Sequence, residues 1–186
     1  LVHSLLAGDV YLLKKSFPPE YLQKIKKETV KNWKTKKSEF FKIRENCPNF
    51  YRNITEELSG KYAFKQVKQT QYFFPWNDDF CNLYHQTYKR WRVIKYLSGF
   101  YKDVWEKDTP RDGIVDRIQI VKYPPKSGLL ELHQDPYVYQ KFFISVYLTK
   151  KGIDYEEGGM YFIDKNKKKF LFEDLVDVGD MSFGFG

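Results

Sequence analysis

His133 and Asp135 stand two residues apart in the stretch GLLELHQDPYVYQKFFISVYLT, residues 128 to 149, of a chain with only three histidines. On a strand, side chains at i and i+2 share a face, so this imidazole and carboxylate can converge on one point while Gln134 faces the other way. A neutral imidazole nitrogen beside a carboxylate oxygen suits borderline and hard divalent ions such as Fe(II), Mn(II), Zn(II) and Co(II). The facial triad of two histidines and one carboxylate uses this pair with a later histidine and leaves adjacent coordination positions open for a cosubstrate and dioxygen. The plain alternative is a solvated histidine followed by an aspartate that starts a turn before Pro136. His-x-Asp is too short a motif to decide between them, so the surrounding elements must.

Those elements fall into two halves. In the first, DVYLLKKSF (residues 9 to 17) reads as a short strand, and Pro18-Pro19 suits a helix start. The following run, through Phe41, places Tyr21, Leu22, Ile25, Thr29 and Trp33 on one face and lysines on the other, which predicts an amphipathic helix. YAFKQVKQTQYFFPW (62 to 76) predicts a strand ended near Pro75. Asn77 or Asp78 can cap a long helix from there to Lys107, which Gly99 weakens. That helix interleaves basic and aromatic residues in YHQTYKRWRVIKY; a face covering the sheet explains them better than a nucleic-acid surface, and His85 is read as a helix residue without chemistry.

From residue 113 the period changes to two. The runs 113–123, 129–135, 141–149, 158–164, 168–174 and 179–186 predict six strands, separated by Pro124-Pro125-Lys126-Ser127-Gly128, Asp135-Pro136, Gly152, Gly158-Gly159, Lys165-Asn166 and Val178-Gly179. Short strands with glycine turns indicate a sandwich or barrel, and helices before a β-rich half make an α+β arrangement. The expectation is one domain over 1–186, with 1–112 a helical support region carrying early strands and 113–186 the β core. The last run, GDMSFGFG, reads as an unpaired aromatic edge, which predicts that the natural chain runs further.

Composition narrows the classes. Hydrophobic residues make up 42% and aromatics 19%, enough for a real core. No apolar run reaches the roughly 18 residues that span a bilayer, and no signal-peptide pattern opens the chain, so membrane partners are not expected. Cys47 and Cys81 are too few for a disulfide framework and favour a reducing cytoplasm, which argues against use of the Asn53-Ile54-Thr55 sequon. The net charge of +8 comes from 26 Lys and six Arg scattered along the chain. A nucleic-acid groove would draw more on Arg, so the charge is read as solvated surface.

Residues 114 to 186 resemble the double-stranded β-helix core of the Fe(II)/2-oxoglutarate-dependent oxygenases, closest to the prolyl-hydroxylase-like branch. The motifs carrying the likeness are KYPPKSGLLELHQD, with Tyr123 ten residues before His133; ISVYLTK, with Tyr147-Leu148-Thr149; EEGGMYF, with Gly158-Gly159; and VGDMSFGFG. The resemblance implies N-terminal helices packed on a jelly-roll core whose last strands are missing. It implies His133 and Asp135 as the first two metal ligands, and Tyr123 and Tyr147 as phenols directed at bound 2-oxoglutarate. Gly158 and Gly159 would serve the backbone only. Fe(II), 2-oxoglutarate and O2 would be the cofactor and cosubstrates, with ascorbate as an accessory reductant. The distal histidine and the Arg or Lys that anchors 2-oxoglutarate would fall past Gly186, and His3 and His85 are poor substitutes. The chain by itself is therefore expected to bind metal weakly and turn over little. The implied reaction is hydroxylation of a C–H bond in a peptidyl or amino-acid side chain or a small molecule, with loops around 35–60 and 150–157 lining the substrate groove. Two other readings stay open: a non-catalytic jelly-roll binding module, and an oxygenase directed at nucleic acid.

Overall fold

The computed structural model of the protein describes residues 1–106, 114–164 and 166–185. Along the chain lie α1 (Val2–Leu6), β1 (Tyr11–Leu13), α2 (Pro19–Trp33), β2 (Phe50–Ile54), α3 (Glu56–Ser59), β3 (Gln66–Phe73), α4 (Leu83–Leu97), β4 (Ile118–Lys122), β5 (Leu129–Leu130), β6 (Phe142–Val146), β7 (Tyr161–Ile163), β8 (Lys169–Leu171) and β9 (Met181–Phe185). These strands pair only antiparallel, and the protein is α+β. Among the described residues no helix is long and apolar enough to cross a membrane. Gly113, Lys165 and Gly186, each at the margin of a predicted strand or turn, lie outside the described residues. The chain divides into two compact units, Leu1–Val2 with Glu28–Lys141, and His3–Lys27 with Phe142–Phe185.

In the first unit β3 is the central strand. It pairs with β2 from Phe50↔Tyr72 to Ile54↔Lys68, and with β4 from Gln69↔Lys122 to Phe73↔Ile118. Its first two residues pair with β5, Gln66↔Leu130 and Val67↔Leu129. The alternation in QVKQTQYF sorts the two faces. Val67, Gln71 and Phe73 share a buried side with Tyr51, Ile118 and Ile120, whereas Lys68, Thr70 and Tyr72 share the other with Arg52 and Gln119. A second buried cluster forms where Cys47, Phe50 and Phe74 meet Phe41, Tyr72 and Trp76.

Two predicted helices are shorter than their sequence patterns. Helix α2 starts at Pro19 as expected and buries Leu22, Ile25 and Thr29, but it stops at Trp33 and does not reach Phe41. Beyond it the backbone turns to β2: Glu39 N–H donates to the Tyr51 carbonyl at 2.8 Å, and Asn53 N–H donates to Ser38 Oγ at 3.0 Å. Helix α4 is capped by Asp79, not by Asn77 or Asp78, its carboxylate accepting from Tyr84 N–H at 2.7 Å and His85 N–H at 3.0 Å. Asn77 is engaged elsewhere, donating to the Cys47 carbonyl at 3.0 Å. The helix ends at Leu97, and Gly99 takes the left-handed conformation (φ +86°) that follows a helix terminus, so it stops the helix where a weakened continuation was expected.

Helix α4 also places a cation in the interior. The Lys95 ammonium is buried, donates to the Val104 carbonyl at 2.7 Å, and pairs with the buried Asp116 carboxylate. Nearby, Arg92 forks onto Glu106 through bonds of 2.8 and 2.6 Å. Tyr84 Oη lies within hydrogen-bond reach of the Phe73 and Asp116 carbonyls, at 2.7 and 2.9 Å, tying helix to sheet.

In the second unit, β9 runs between β1 and β6, with registers centred on Leu12↔Ser182 and Ile144↔Phe183. The run GDMSFGFG is therefore not an unpaired edge: β1, from the far end of the sequence, covers the side the pattern left open. The strands β7 and β8 form a separate hairpin, Tyr161↔Leu171 to Ile163↔Lys169. Tyr147, Phe172 and Val176 form the buried cluster of this unit with Val10, Leu12, Met160 and Phe162 around it. Gly179 (φ +95°) passes so close to Phe17 that a Cβ there would meet the Phe17 carbonyl oxygen at 2.4 Å.

Burial holds the Asp116 carboxyl up at about 6, outweighing the Lys95 ammonium that acts to lower it. An acid raised above its unfolded value binds its proton more tightly in the folded state, so its contribution to stability is present at low pH and is lost as pH rises through about 6. Urea unfolding of wild type and Asp116→Asn between pH 4 and 7 measures this. We expect the stability of wild type relative to the variant to fall across that window; a relative gain would contradict the assignment.

Candidate functional site

The residues around His133 are positioned by the start of β3. Past β5 the ladder continues one residue: Glu131 N–H donates to the Lys65 carbonyl at 2.9 Å, and Lys65 N–H donates to the Glu131 carboxylate at 2.8 Å. The predicted strand 129–135 is thus two residues long, and residues 131–136 continue without strand pairing. Pro136 lacks the N–H a ladder needs, and its carbonyl accepts from Tyr139 and Gln140 in a turn.

His133 Nδ1 lies 2.8 Å from the Glu131 carbonyl oxygen. A carbonyl only accepts, so in the neutral ring this contact selects the Nδ1–H tautomer, in which Nε2 is the nitrogen able to coordinate. The Phe64 ring stacks on the imidazole at 4.4 Å between centroids and 10° between planes, fixing the ring plane. Nε2 then faces Asp135 Oδ2 at 3.8 Å. The side chains are 26% and 39% exposed, so the pair is reached by solvent without being fully immersed in it. Gln140 Nε2 donates to the same Asp135 oxygen at 2.8 Å, and orients the carboxylate. Two ligands at right angles on an ion with bonds of about 2.1 Å sit about 3 Å apart, so the pair fits one ion after a closure of less than about 1 Å. Among the described residues no third His, Cys, Asp or Glu joins them.

The two tyrosines have different settings. Tyr123 follows β4, is 46% exposed, and makes no hydrogen bond to His133 or Asp135. Its Cβ faces Gly128 so closely that a Cβ at that glycine would lie 2.6 Å away, which is why the Pro-Pro turn closes on glycine. Tyr147 belongs to the second unit and is buried in its core cluster, with its phenol 2.9 Å from Ser182 Oγ. Burial raises the Tyr147 phenol above its ordinary value. His85 is exposed on the first turn of α4.

In the second unit, the 150–157 loop borders an open groove of about 370 Å³ together with Glu173, Asp174 and Asp177. Its lysines are paired: Lys150 with Asp177, and Lys151 with Asp174 at 2.8 Å. Gly159 (φ +99°) leaves room for Glu173, whose side chain would lie 1.9 Å from a Cβ there and whose carboxylate accepts from Met160 N–H at 2.7 Å.

Sequence reasoning missed Glu131, Phe64 and Gln140 as the groups that fix His133 and Asp135. Gln140, five residues past Asp135 across a Pro turn, had a local signal; Phe64 had none, because its role depends on β5 pairing with β3.

Tyr147→Phe removes one buried hydrogen bond and leaves the Ser182 hydroxyl short of a partner, so we expect a loss of about 1–2 kcal/mol in chemical denaturation. Unchanged stability would mean that the phenol is not committed to Ser182. Comparison with protein-family models, curated proteins and solved structures finds no match to this chain.

Proposed function

We propose that His133 and Asp135 are two protein ligands of an Fe(II) centre in a 2-oxoglutarate-dependent dioxygenase that hydroxylates a peptidyl or amino-acid side chain, or a small molecule, in the cytoplasm. The observation that carries the reading is the pair of contacts that commits His133 Nδ1 to the Glu131 carbonyl and directs Nε2 toward the Asp135 carboxylate, 3.8 Å away. In metal sites, an imidazole that gives its other N–H to a backbone carbonyl is held in one tautomer and one orientation, and Glu131 and Phe64 supply that support here. Bound iron with 2-oxoglutarate and O2, and ascorbate as accessory reductant, would supply the oxidising chemistry; the chain supplies donors, their orientation and the surrounding walls.

The finer architecture belongs to the same reading: a double-stranded β-helix core supported by N-terminal helices, with Tyr123 contacting the cosubstrate, whereas Tyr147 is committed to its own core and to Ser182. Cys47 and Cys81, neither of them in a disulfide, are in keeping with a reducing compartment. Two protein donors make a weak site, and its affinity falls with pH because the imidazole must be neutral to coordinate. A non-catalytic binding module is the second reading, favoured by the bond from Gln140 that already engages Asp135 Oδ2.

Anaerobic calorimetric titration with Fe(II) or Mn(II), paired with assay of 2-oxoglutarate-dependent succinate release, tests the proposal. We expect His133→Ala and Asp135→Ala each to lose roughly tenfold or more in metal affinity and to abolish any succinate release. Metal affinity unchanged in both variants would refute the ligand assignment and leave the binding-module reading.

A further inference from the structure

The polar face of the sheet in the first unit concentrates positive charge. Register places Arg52, Thr70 and Val121 in one row across β2, β3 and β4, with Lys68 and Tyr72 on the same side of β3. Arg117, just before β4, joins them, its guanidinium 5.7 Å from the centroid of the Tyr72 ring. Arg52 donates to Tyr62 Oη at 3.0 and 3.2 Å and lies over Phe40 at 5.4 Å. With its amide oxygen turned toward Arg117, Gln119 accepts from it at 2.8 and 3.1 Å.

Other cations of the protein have carboxylate partners: Lys95 with Asp116, Arg92 with Glu106, Lys14 with Asp180 and Lys26 with Asp154. Among the described residues Arg52, Lys68 and Arg117 have no ion-pair partner, and their hydrogen bonds go to neutral groups. Lys68 is held below its ordinary value by burial first and then by Arg117, with Asp135 opposing, so the two cations repel one another across the face. One carboxylate acting against three cations leaves the patch net positive. In its middle, the Thr70 hydroxyl is fully buried without a hydrogen-bond partner. Half-buried cations and an orphaned hydroxyl on one face are costly unless a ligand completes them.

We propose that this face, with Arg52, Lys68, Thr70, Tyr72 and Arg117, binds an oxyanion: the carboxylate or phosphate group of a small molecule. Guanidinium forks match the paired oxygens of such groups, the ammonium adds a point charge, and the Thr70 and Tyr72 hydroxyls complete the donor set. The tyrosine and phenylalanine rings beside the cations supply apolar walls for the remainder of the ligand. The site requires no metal.

The experiment is titration of the metal-free protein with sodium phosphate and, separately, sodium succinate at constant ionic strength, followed by amide chemical shifts. We expect a saturable response centred on residues 52, 68–72 and 117–119. Lys68→Gln and Arg117→Gln should weaken it roughly tenfold each, Lys68→Arg should retain it, and Lys122→Gln, an exposed lysine on β4 outside the cluster, should leave it unchanged. Tighter binding of phosphate assigns the ligand as a phosphate, and tighter binding of succinate assigns it as a carboxylate; either supports the site. Absence of a saturable response to both anions, or equal weakening by Lys122→Gln, would overturn it. If Arg117→Gln does not fold, the comparison of Lys68→Gln with Lys68→Arg decides alone. Because metal is absent throughout, failure here leaves the ligand assignment of His133 and Asp135 standing, and the reverse also holds.

Discussion

The short ladder between β5 and the start of β3 is the constraint on which the site depends. Leu129 and Leu130 lie opposite Val67 and Gln66, and the reciprocal bonds between Lys65 and Glu131 extend the match by one residue. Those few bonds fix the Glu131 carbonyl, and that carbonyl selects the His133 tautomer. They also bring Phe64 under the imidazole, so a single register sets both the protonation pattern and the plane of the ring. A slip of one residue would turn these side chains to the opposite face. The orientation of the pair is therefore a property of strand pairing over a distance of more than 60 residues in sequence, and the His-x-Asp spacing alone does not supply it.

Central strand β3 serves two environments at once. Its inward residues, Val67, Gln71 and Phe73, belong to a buried layer with Ile118 and Ile120, while its outward residues carry Lys68, Thr70 and Tyr72. The protein handles charge differently on the two sides. Toward α4, Lys95 is sunk into the interior with Asp116 and a backbone carbonyl to compensate it, a burial that is tolerable only because the partners are in place. On the outward face the cations are left to neutral neighbours, which is the arrangement of a surface made for a ligand more than for stability.

Much of this was legible in the sequence, and the misses share a cause. The strands at 66–73, 118–122, 142–146 and 181–185 lie inside runs whose alternation announced them, and Pro19 marked the start of α2. Local pattern did not say where elements stop. Helix α2 ends early because Glu39 finds a β2 carbonyl, and the strand after Gly128 ends early because Pro136 and the Lys65–Glu131 bonds close the ladder. β9 looked like an edge because its partner β1 lies some 170 residues away. Of the site, the residue types at 133 and 135 were readable from spacing, but Glu131, Phe64 and Gln140 act through tertiary contacts that no short window contains.

The central claim is that the neutral His133 ring holds its proton on Nδ1 and directs Nε2 toward the Asp135 carboxylate. Nitrogen-15 correlation spectra of the imidazole, recorded at a pH where the ring is neutral and again after addition of Zn(II), read this directly. The account predicts the Nδ1–H tautomer before metal and a shift of the Nε2 resonance on addition. An Nε2–H tautomer, or an Nε2 resonance indifferent to metal, would contradict it.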